Sequence, residues 1–341
     1  MNNTTISQDF KSALLKQPRL SIGWALSLAV LLYLWITTPE GFWIEAFFVA
    51  EIALLTAWTR STTLRDGMVM FLVGIIAIAG GSLLMGSLFE LFGANLRAVF
   101  WQSWFFPIVE EVFKLAPGFL VLWFLDKQYS MKLNPSDLIW LVAASSAGFS
   151  VVEKYFWETI NFSFTYGPNI GNWYLFPDAL GIRVSGETFG FIGHAAASVF
   201  VALLFGIGMH LQKRGISLGG FSPAYVVGAA GFAWITLEHI LNNMYYGNGS
   251  DALLAIGGGR LTPWLFVAAA IVFIVLEVQS RKNVTDSTVQ WKFADCWSAL
   301  VQSISSLGKN PMHALQGMNL ILRKYRLSQR LQWNVNTSDE Q

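Results

Sequence analysis

Charged residues and cysteine are scarce in this sequence. Only 13% of its 341 residues are charged, against 54% that are hydrophobic, and this balance excludes an ordinary water-soluble domain. The net charge of +1 gives no reason to expect nucleic acid as a partner. The single cysteine, Cys296, excludes an internal disulfide framework and a cysteine-rich metal site.

Long apolar runs are abundant instead. Each is about eighteen or more residues long, which is the length that a helix needs to cross a hydrocarbon core of ~30 Å. The runs are continuously apolar rather than alternating, which favours helices over the strands of a barrel. We therefore predict an all-α polytopic membrane protein, a bundle of about eight transmembrane helices. The runs are 20–38, 41–59, 67–90, 98–125, 136–161, 187–209, 224–246 and 263–280.

The placement of the positive charges predicts the topology. Of the 22 Lys and Arg residues, 17 fall on one side of the eight-helix arrangement, and the positive-inside rule makes that side cytoplasmic. Both termini then face the cytoplasm. We divide the chain into a cytoplasmic segment at 1–19, a membrane domain at 20–280 and a cytoplasmic tail at 281–341. No small-residue cleavage site follows the first run, which therefore predicts an uncleaved anchor.

The tail has a different pattern from the membrane domain. Phe293, Trp297, Leu300 and Ile304 recur at helical spacing without a continuous apolar run, which predicts an amphipathic helix. The basic residues that follow suit the anionic inner leaflet of a bilayer, and a solvated or partner-bound tail is the equal alternative. On the other side of the membrane, the connection at 162–186 predicts an interfacial connector, with an ordered lid as the alternative.

Ionisable residues inside the apolar runs are the strongest functional signal. A charged group at the centre of a bilayer costs several kcal/mol by most estimates, so it usually marks function. Four of these residues lie 16 to 18 positions from the predicted cytoplasmic ends of their helices, which is about 24–27 Å at ~1.5 Å per residue. They share one layer in the outer half of the membrane. The candidate site residues are Glu110, Glu111, Lys114, Glu153, His194, His239 and Asn243.

Helical spacing within this set suggests a division of roles. Glu110 and Lys114 are four residues apart, which predicts an ion pair, and Glu111 points about 100° away around the helix axis. One carboxylate would be held while the other stays available for chemistry. His239 and Asn243 share a helix face and could together polarise a carbonyl. We interpret the other intramembrane glutamates as packing or interfacial groups: Glu45, Glu51, Glu90 and Glu277.

The residue types favour water activated by a carboxylate. That chemistry needs a base, a partner that orients the water, and donors for the oxyanion. The serine type of intramembrane protease is disfavoured because its Gly-x-Ser-Gly elbow has only an incomplete counterpart at 183–186. The zinc motif His-Glu-x-x-His and the aspartyl motif Gly-x-Gly-Asp are absent. The three roles fall to Glu110 or Glu111, to His194 or Glu153, and to His239 with Asn243.

Four motifs in order resemble those of the PrsW proteases. They are Glu-Glu-x-x-Lys at 110–114, Phe-x-x-x-Glu at 149–153, a lone histidine at 194 and His-x-x-x-Asn at 239–243. PrsW proteins are a branch of the glutamic intramembrane proteases, which include the CAAX prenyl proteases and the CAAX-like immunity proteins. The resemblance spans residues 98–246 and agrees in order, spacing and helix placement.

The resemblance implies roles for individual residues. Glu110 would activate the water with support from Glu111 and Lys114, while His239 and Asn243 would polarise the scissile carbonyl. PrsW members often carry Asn after the second-motif Glu, where this chain has Lys154. CAAX prenyl proteases have His at the second-motif position, so prenylated CAAX tails are not the expected substrate.

We therefore predict an endopeptidase that cuts a membrane-anchored protein in the outer half of the bacterial inner membrane. The mechanism requires no cofactor, and if zinc were bound its ligands would be Glu153, His194 and His239. A proton- or cation-coupled transporter that uses the same layer is the alternative. A catalytically silent scaffold for membrane partners is a third reading. Lipid is the other expected partner, and neither the substrate nor the oligomeric state follows from the residues.

Overall fold

A computed structural model describes residues 21–37, 39–78, 81, 84–93, 95, 98, 100–129, 133–159, 192–259, 261–282, 293–305, 317–318, 320–322, 324–329 and 332–333. This part of the chain is helical, with one isolated β-bridge and no strand, so the all-α prediction is confirmed. A π-helical turn at Phe100–Phe105 leads into α5. The helices are α1 Ser21–Thr37, α2 Pro39–Thr56, α3 Leu64–Ile78, α4 Met85–Leu91, α5 Phe106–Tyr129, α6 Pro135–Thr159, α7 His194–Lys213, α8 Pro223–Asn248, α9 Ala252–Ala255, α10 Leu261–Lys282 and α11 Phe293–Ser305.

Within the described part of the chain, four helices are long and apolar enough to cross a bilayer, as expected of a membrane protein. They are Pro135–Glu153 within α6, His194–Lys213, Pro223–Asn248 and Leu261–Ser280 within α10. The predicted run 67–90 is not one regular α-helix, because the described residues between α3 and α4, Gly81 and Leu84, are π-helical. The segments 1–19 and 162–186 lie outside the described residues.

The fourth run also differs from a uniform α-helix. The predicted helix over 98–125 begins as the π-helical turn, and regular α-helix starts only at Phe106. A π-helical turn holds more residues per turn than an α-helix and is frequent at functional sites. The π-helical turn therefore changes the direction around the helix axis in which the residues before Phe106 point, relative to Glu110 and Glu111.

Helix α6 forms the centre of the bundle. Its apolar span is 94% buried, against 39% for the span in α10. A Cβ atom added to Gly148 would lie 2.0 Å from the carbonyl oxygen of Phe71, and one added to Gly74 would lie 1.8 Å from that of Ser145. Helices α3 and α6 therefore pack with their backbones in contact. The small residues at 143–148 predict this close approach, and the structure confirms it.

Helices α6 and α7 run antiparallel, as two pairs of contacts show. At the start of α7, His194 Nε2 lies 2.6 Å from Glu153 Oε2, near the end of α6. At the other end of α7, His210 Nε2 lies 2.7 Å from Glu277 Oε2. The second oxygen of Glu277 accepts a hydrogen bond from Ser136, at the start of α6, at 3.1 Å. Buried polar contacts therefore hold both ends of this helix pair.

A group that we call the anchor network surrounds the start of α6. Asp137 is fully buried and accepts the backbone N–H and the hydroxyl of Ser61 and of Thr62 at 2.6 to 2.8 Å. The Asn134 N–H adds a bond of 3.2 Å. Glu277 is therefore a buried member of this network, in agreement with its interpretation as a packing group. The network comprises Thr59, Ser61, Thr62, Asn134, Ser136, Asp137, His210 and Glu277.

The tail packs on the same end of the bundle. The Tyr325 hydroxyl donates to the carbonyl oxygen of Trp58, and Lys213 Nζ donates to that of Trp333 at 2.8 Å. The Lys213 ammonium also lies 4.0 Å from the centroid of the Trp333 ring. In the loop after α2, burial and then the nearby Arg326 lower the pKa of Arg60 to about 10. The predicted amphipathic tail helix corresponds to α11.

Candidate active site between four helices

The two adjacent glutamates of α5 have different environments. Glu111 is fully buried, whereas the side chain of Glu110 is 18% exposed. The Lys114 ammonium lies 2.5 Å from Glu111 Oε1, so the predicted Glu110–Lys114 ion pair is wrong. A lysine reaches residues three or four positions earlier on a helix, and the fully buried carboxylate has the greater need of a counter-charge. The free carboxylate is therefore that of Glu110.

Lys114 is the hub of the buried contacts. Its side chain is 1% exposed, and Nζ contacts His194 Nδ1 as well as Glu111. The same nitrogen lies 5.6 Å from the centroid of the Phe149 ring. The Lys114 carbonyl oxygen accepts the hydroxyls of Ser145 at 3.3 Å and of Ser146 at 3.4 Å. Helices α5, α6 and α7 are therefore joined at one level.

The contacts of His194 indicate its tautomer. An ammonium group can only donate hydrogen bonds, so the Nδ1 atom that faces Lys114 acts as the acceptor. The ring proton then lies on Nε2, which points at Glu153 Oε2 across 2.6 Å. Both nitrogens of this fully buried imidazole are occupied. His194 therefore links Lys114 to Glu153.

His239 carries its proton on the other ring nitrogen, Nδ1. Its Nδ1 lies 2.9 Å from Glu111 Oε1, and a carboxylate accepts, so Nδ1 carries the proton. The lone pair of neutral His239 is then on Nε2, which lies 3.8 Å from Glu110 Oε2. Two acceptors therefore face each other at more than hydrogen-bond distance. A water molecule that donates to both is the simplest way to bridge such a gap.

Six of the seven predicted site residues meet in this group, which we call the Glu–His cluster. The rings of His194 and His239 have centroids 5.2 Å apart, and Phe149 packs against His194 with its centroid at 5.7 Å. One oxygen of Glu111, Oε2, is buried without a hydrogen-bond partner in the described part of the chain. The cluster comprises Glu110, Glu111, Lys114, Glu153, His194 and His239.

Asn243, the seventh predicted residue, lies one turn beyond His239 on α8. Its amide nitrogen donates to the backbone carbonyl oxygen of Gln102 at 3.1 Å, in the π-helical turn that precedes α5. A side-chain amide has two N–H donors, so one can hold the π-helical turn while the other serves a ligand. The side chain is partly exposed. Gln102 itself has no sequence signal, because it contributes only a backbone carbonyl.

One triad of the described residues could hold a metal ion, and it differs from the predicted set. Glu110, His194 and His239 each offer a ligand atom within 4.8 Å of the others, so Glu110 takes the place of Glu153. The imidazole of His194 has Lys114 at one nitrogen and Glu153 at the other, which leaves it no free lone pair. The donor set therefore fits a metal poorly.

Glu238, beside His239, is a buried carboxylate for which the sequence suggests no role. It is 1% exposed and its Oε1 accepts the Thr262 hydroxyl at 2.6 Å. That hydroxyl in turn accepts the indole N–H of Trp234 at 2.9 Å. Glu45 is likewise buried and accepts the Ser150 hydroxyl at 2.5 Å. Glu238 ties α8 to the start of α10, and Glu45 ties α2 to α6.

Comparisons with known proteins find no family model, no curated protein and no solved structure that matches this chain. The resemblance to the PrsW proteases therefore rests on the four motifs and their order.

Proposed function

We propose that this protein hydrolyses a peptide bond within the membrane, with Glu110 as the base that activates water. The observation that supports this most directly is the 3.8 Å separation between Glu110 Oε2 and the unprotonated Nε2 of His239. These two acceptors can hold one water molecule between them. Glu110 is also the partly exposed member of the glutamate pair, so a substrate can reach it.

The neighbouring charges suit this role for Glu110. Lys114 is held by Glu111 at 2.5 Å and therefore does not neutralise the base directly. Glu111 also accepts from His239 Nδ1 at 2.9 Å, which leaves the lone pair of His239 directed at the water. Glu111 and Lys114 are thus positioning residues, in agreement with their supporting role in the PrsW resemblance.

Glu110 carries the proton that moves in such a reaction. The water gives one proton to Glu110 while its oxygen forms a bond to the carbonyl carbon of the substrate. The tetrahedral intermediate carries negative charge on the former carbonyl oxygen, and the second N–H of Asn243 is the available donor for it. Neutral His239 donates its one N–H to Glu111, so it does not share this role, in contrast to what the PrsW resemblance implies. Glu110 then returns the proton to the leaving amine as the peptide bond breaks. No metal or other cofactor is required.

This reaction needs a substrate that enters from the lipid. The apolar helices favour a membrane-anchored protein, and the positive-inside rule sets the cluster in the outer half of a cytoplasmic membrane with both termini inside. The PrsW resemblance favours a bacterial inner membrane. We retain the eight-span topology as part of the proposal.

The test compares the membrane proteomes of cells that produce wild-type protein or the Glu110→Gln variant. We expect truncated fragments of the substrate to be present with the wild type and absent with the variant, which should be produced at the same level. Glu90→Gln is the matched control, because Glu90 is an exposed glutamate outside the cluster. Cleavage that persists in purified Glu110→Gln protein would refute the assignment of the base.

Proton- or cation-coupled transport is the second candidate function. The observation that favours it is that buried histidine–carboxylate pairs occur near both ends of α7, at His194 and at His210. Ion flux in proteoliposomes, followed with a pH-sensitive dye, would be lost in Glu110→Gln if transport were the activity. Flux without any proteolytic fragment would favour transport over hydrolysis.

A further inference from the structure

Helix α11 presents three distinct faces. Cys296 is 2% exposed and lies on the face that packs against the protein. Trp297, Val301 and Ile304 are 58%, 48% and 50% exposed and follow one another at spacings of four and three residues. The polar residues Ser298, Gln302 and Ser305 are also exposed.

Helical geometry separates these faces clearly. At 100° per residue, the three apolar side chains fall within about 60° of one another. The polar side chains lie about 100° to one side of them, and the buried face lies about 110° to the other side. The exposed apolar stripe therefore lies between the face that packs against the protein and the polar face, and is separate from both.

The rest of the tail fixes α11 to the ends of the bundle helices. A Cβ atom on Gly317 would lie 3.4 Å from the Ser303 hydroxyl oxygen, so α11 packs on the segment that follows it. That segment is bonded through Tyr325 to Trp58, just after α2, and through Trp333 to Lys213, the last residue of α7. The stripe is thereby kept at the level where these helices end.

We propose that α11 is an interfacial helix whose stripe of Trp297, Val301 and Ile304 inserts into the adjacent lipid leaflet. Asp295 is its only charged residue, so apolar insertion rather than headgroup charge drives the contact. A tryptophan within the stripe suits the interfacial region, where this side chain is enriched. Exposed apolar side chains also occur on the bundle itself, where Ile271, Val272 and Val275 of α10 are about half exposed.

The experiment places a fluorescent label on each face of the full chain in lipid nanodiscs. Single cysteines replace Val301 or Ile304 on the stripe and Ser298 or Gln302 on the polar face, in a Cys296→Ser background. The label is NBD, a dye whose emission shifts to the blue in an apolar environment. Nanodiscs leave both membrane surfaces open to iodide, and lipids with a spin label on the acyl chain serve as the second quencher.

We expect iodide to quench the two stripe positions several-fold less than the two polar positions. The spin-labelled lipids should quench the stripe positions and leave Gln302 and Ser298 unaffected. Equal iodide quenching at all four positions would refute the proposal, because the stripe would then face water. Protection of the stripe from both quenchers would also refute it and would indicate a second copy or another protein on this face.

A second set of variants guards against loss of structure in the Cys296→Ser background. The same four substitutions are made in a chain that keeps Cys296, whose burial raises the pKa of its thiol and so slows its reaction with maleimide. Brief labelling at neutral pH then favours the introduced cysteine. The two sets should give the same ordering of the four positions, and a reversed ordering in this second set would refute the proposal.

Discussion

Two buried polar groups occupy opposite ends of the α6–α7 pair, and they differ in how completely their charges are satisfied. In the anchor network, Asp137 accepts five hydrogen bonds. The two oxygens of Glu277 lie 3.1 Å from the Ser136 hydroxyl and 2.7 Å from His210 Nε2. In the Glu–His cluster, Glu110 Oε2 lies 3.8 Å from His239 Nε2, and Glu111 Oε2 has no hydrogen-bond partner in the described residues.

The contrast distinguishes carboxylates that hold the helices together from a carboxylate that is available for chemistry. A buried carboxylate that is surrounded by donors is stabilised in its charged form and holds the elements that supply those donors. A buried carboxylate with an unfilled acceptor facing another acceptor adds little to stability and leaves room for a ligand or water. Burial and position within the membrane do not distinguish the anchor network from the Glu–His cluster. Only the hydrogen-bond partners of their carboxylates do.

The largest expected loss of stability is at Asp137. Asp137→Ala removes the acceptor for five bonds, two of which come from the backbone N–H groups of Ser61 and Thr62. Loss of the acceptor for a buried donor costs about 1–3 kcal/mol. We expect the free energy of unfolding to fall by about 3–5 kcal/mol, measured by titration with SDS in mixed micelles. Asp137→Asn keeps the shape and should lose less. A fall of under about 1 kcal/mol in the alanine variant would contradict the anchoring role.

A smaller loss is expected at Glu277. Glu277→Gln removes the charge that faces His210 and keeps an oxygen for Ser136, so we expect a fall of about 1–3 kcal/mol in the same titration. Cleavage by the folded fraction should be unchanged, because the Glu–His cluster lies at the other end of α7. A specific loss of cleavage with unchanged stability would contradict the structural role of Glu277 and would indicate that it takes part in the reaction.

Much of the fold follows from patterns that the sequence carries directly. Continuous apolar runs predict the helices, and the small residues at 143–148 predict that α6 packs closely on a neighbouring helix, which the structure shows to be α3. The π-helical residues between α3 and α4 were missed, because hydrophobicity does not distinguish a π-helical turn from an α-helical one. The π-helical turn at Phe100–Phe105 was missed as well, since no residue type in it demands that geometry.

The sequence predicts which residues form the site but not which of their side chains pair with each other. Helical spacing brings both Glu110 and Glu111 within reach of Lys114, and spacing alone cannot show which carboxylate is more deeply buried. That depends on α6, α7 and α8 packing around α5, which is tertiary information. The anchor network escaped prediction for the same reason, because Glu277 meets Ser136 and His210 only after three helices have packed together.

The smallest change in stability is expected at Glu110. Glu110→Gln removes a partly buried charge that has no donor in contact, so the free energy of unfolding should stay within about 1 kcal/mol of wild type or rise slightly. Cleavage should nevertheless fall by about 10²–10⁴-fold, since general-base catalysis is worth that much. The purified variants are titrated with SDS and assayed on the same substrate, with Glu90→Gln as the control that alters neither property. If Glu110→Gln unfolds as readily as Asp137→Ala, Glu110 holds the bundle together and the two ends of the helix pair do not differ in kind.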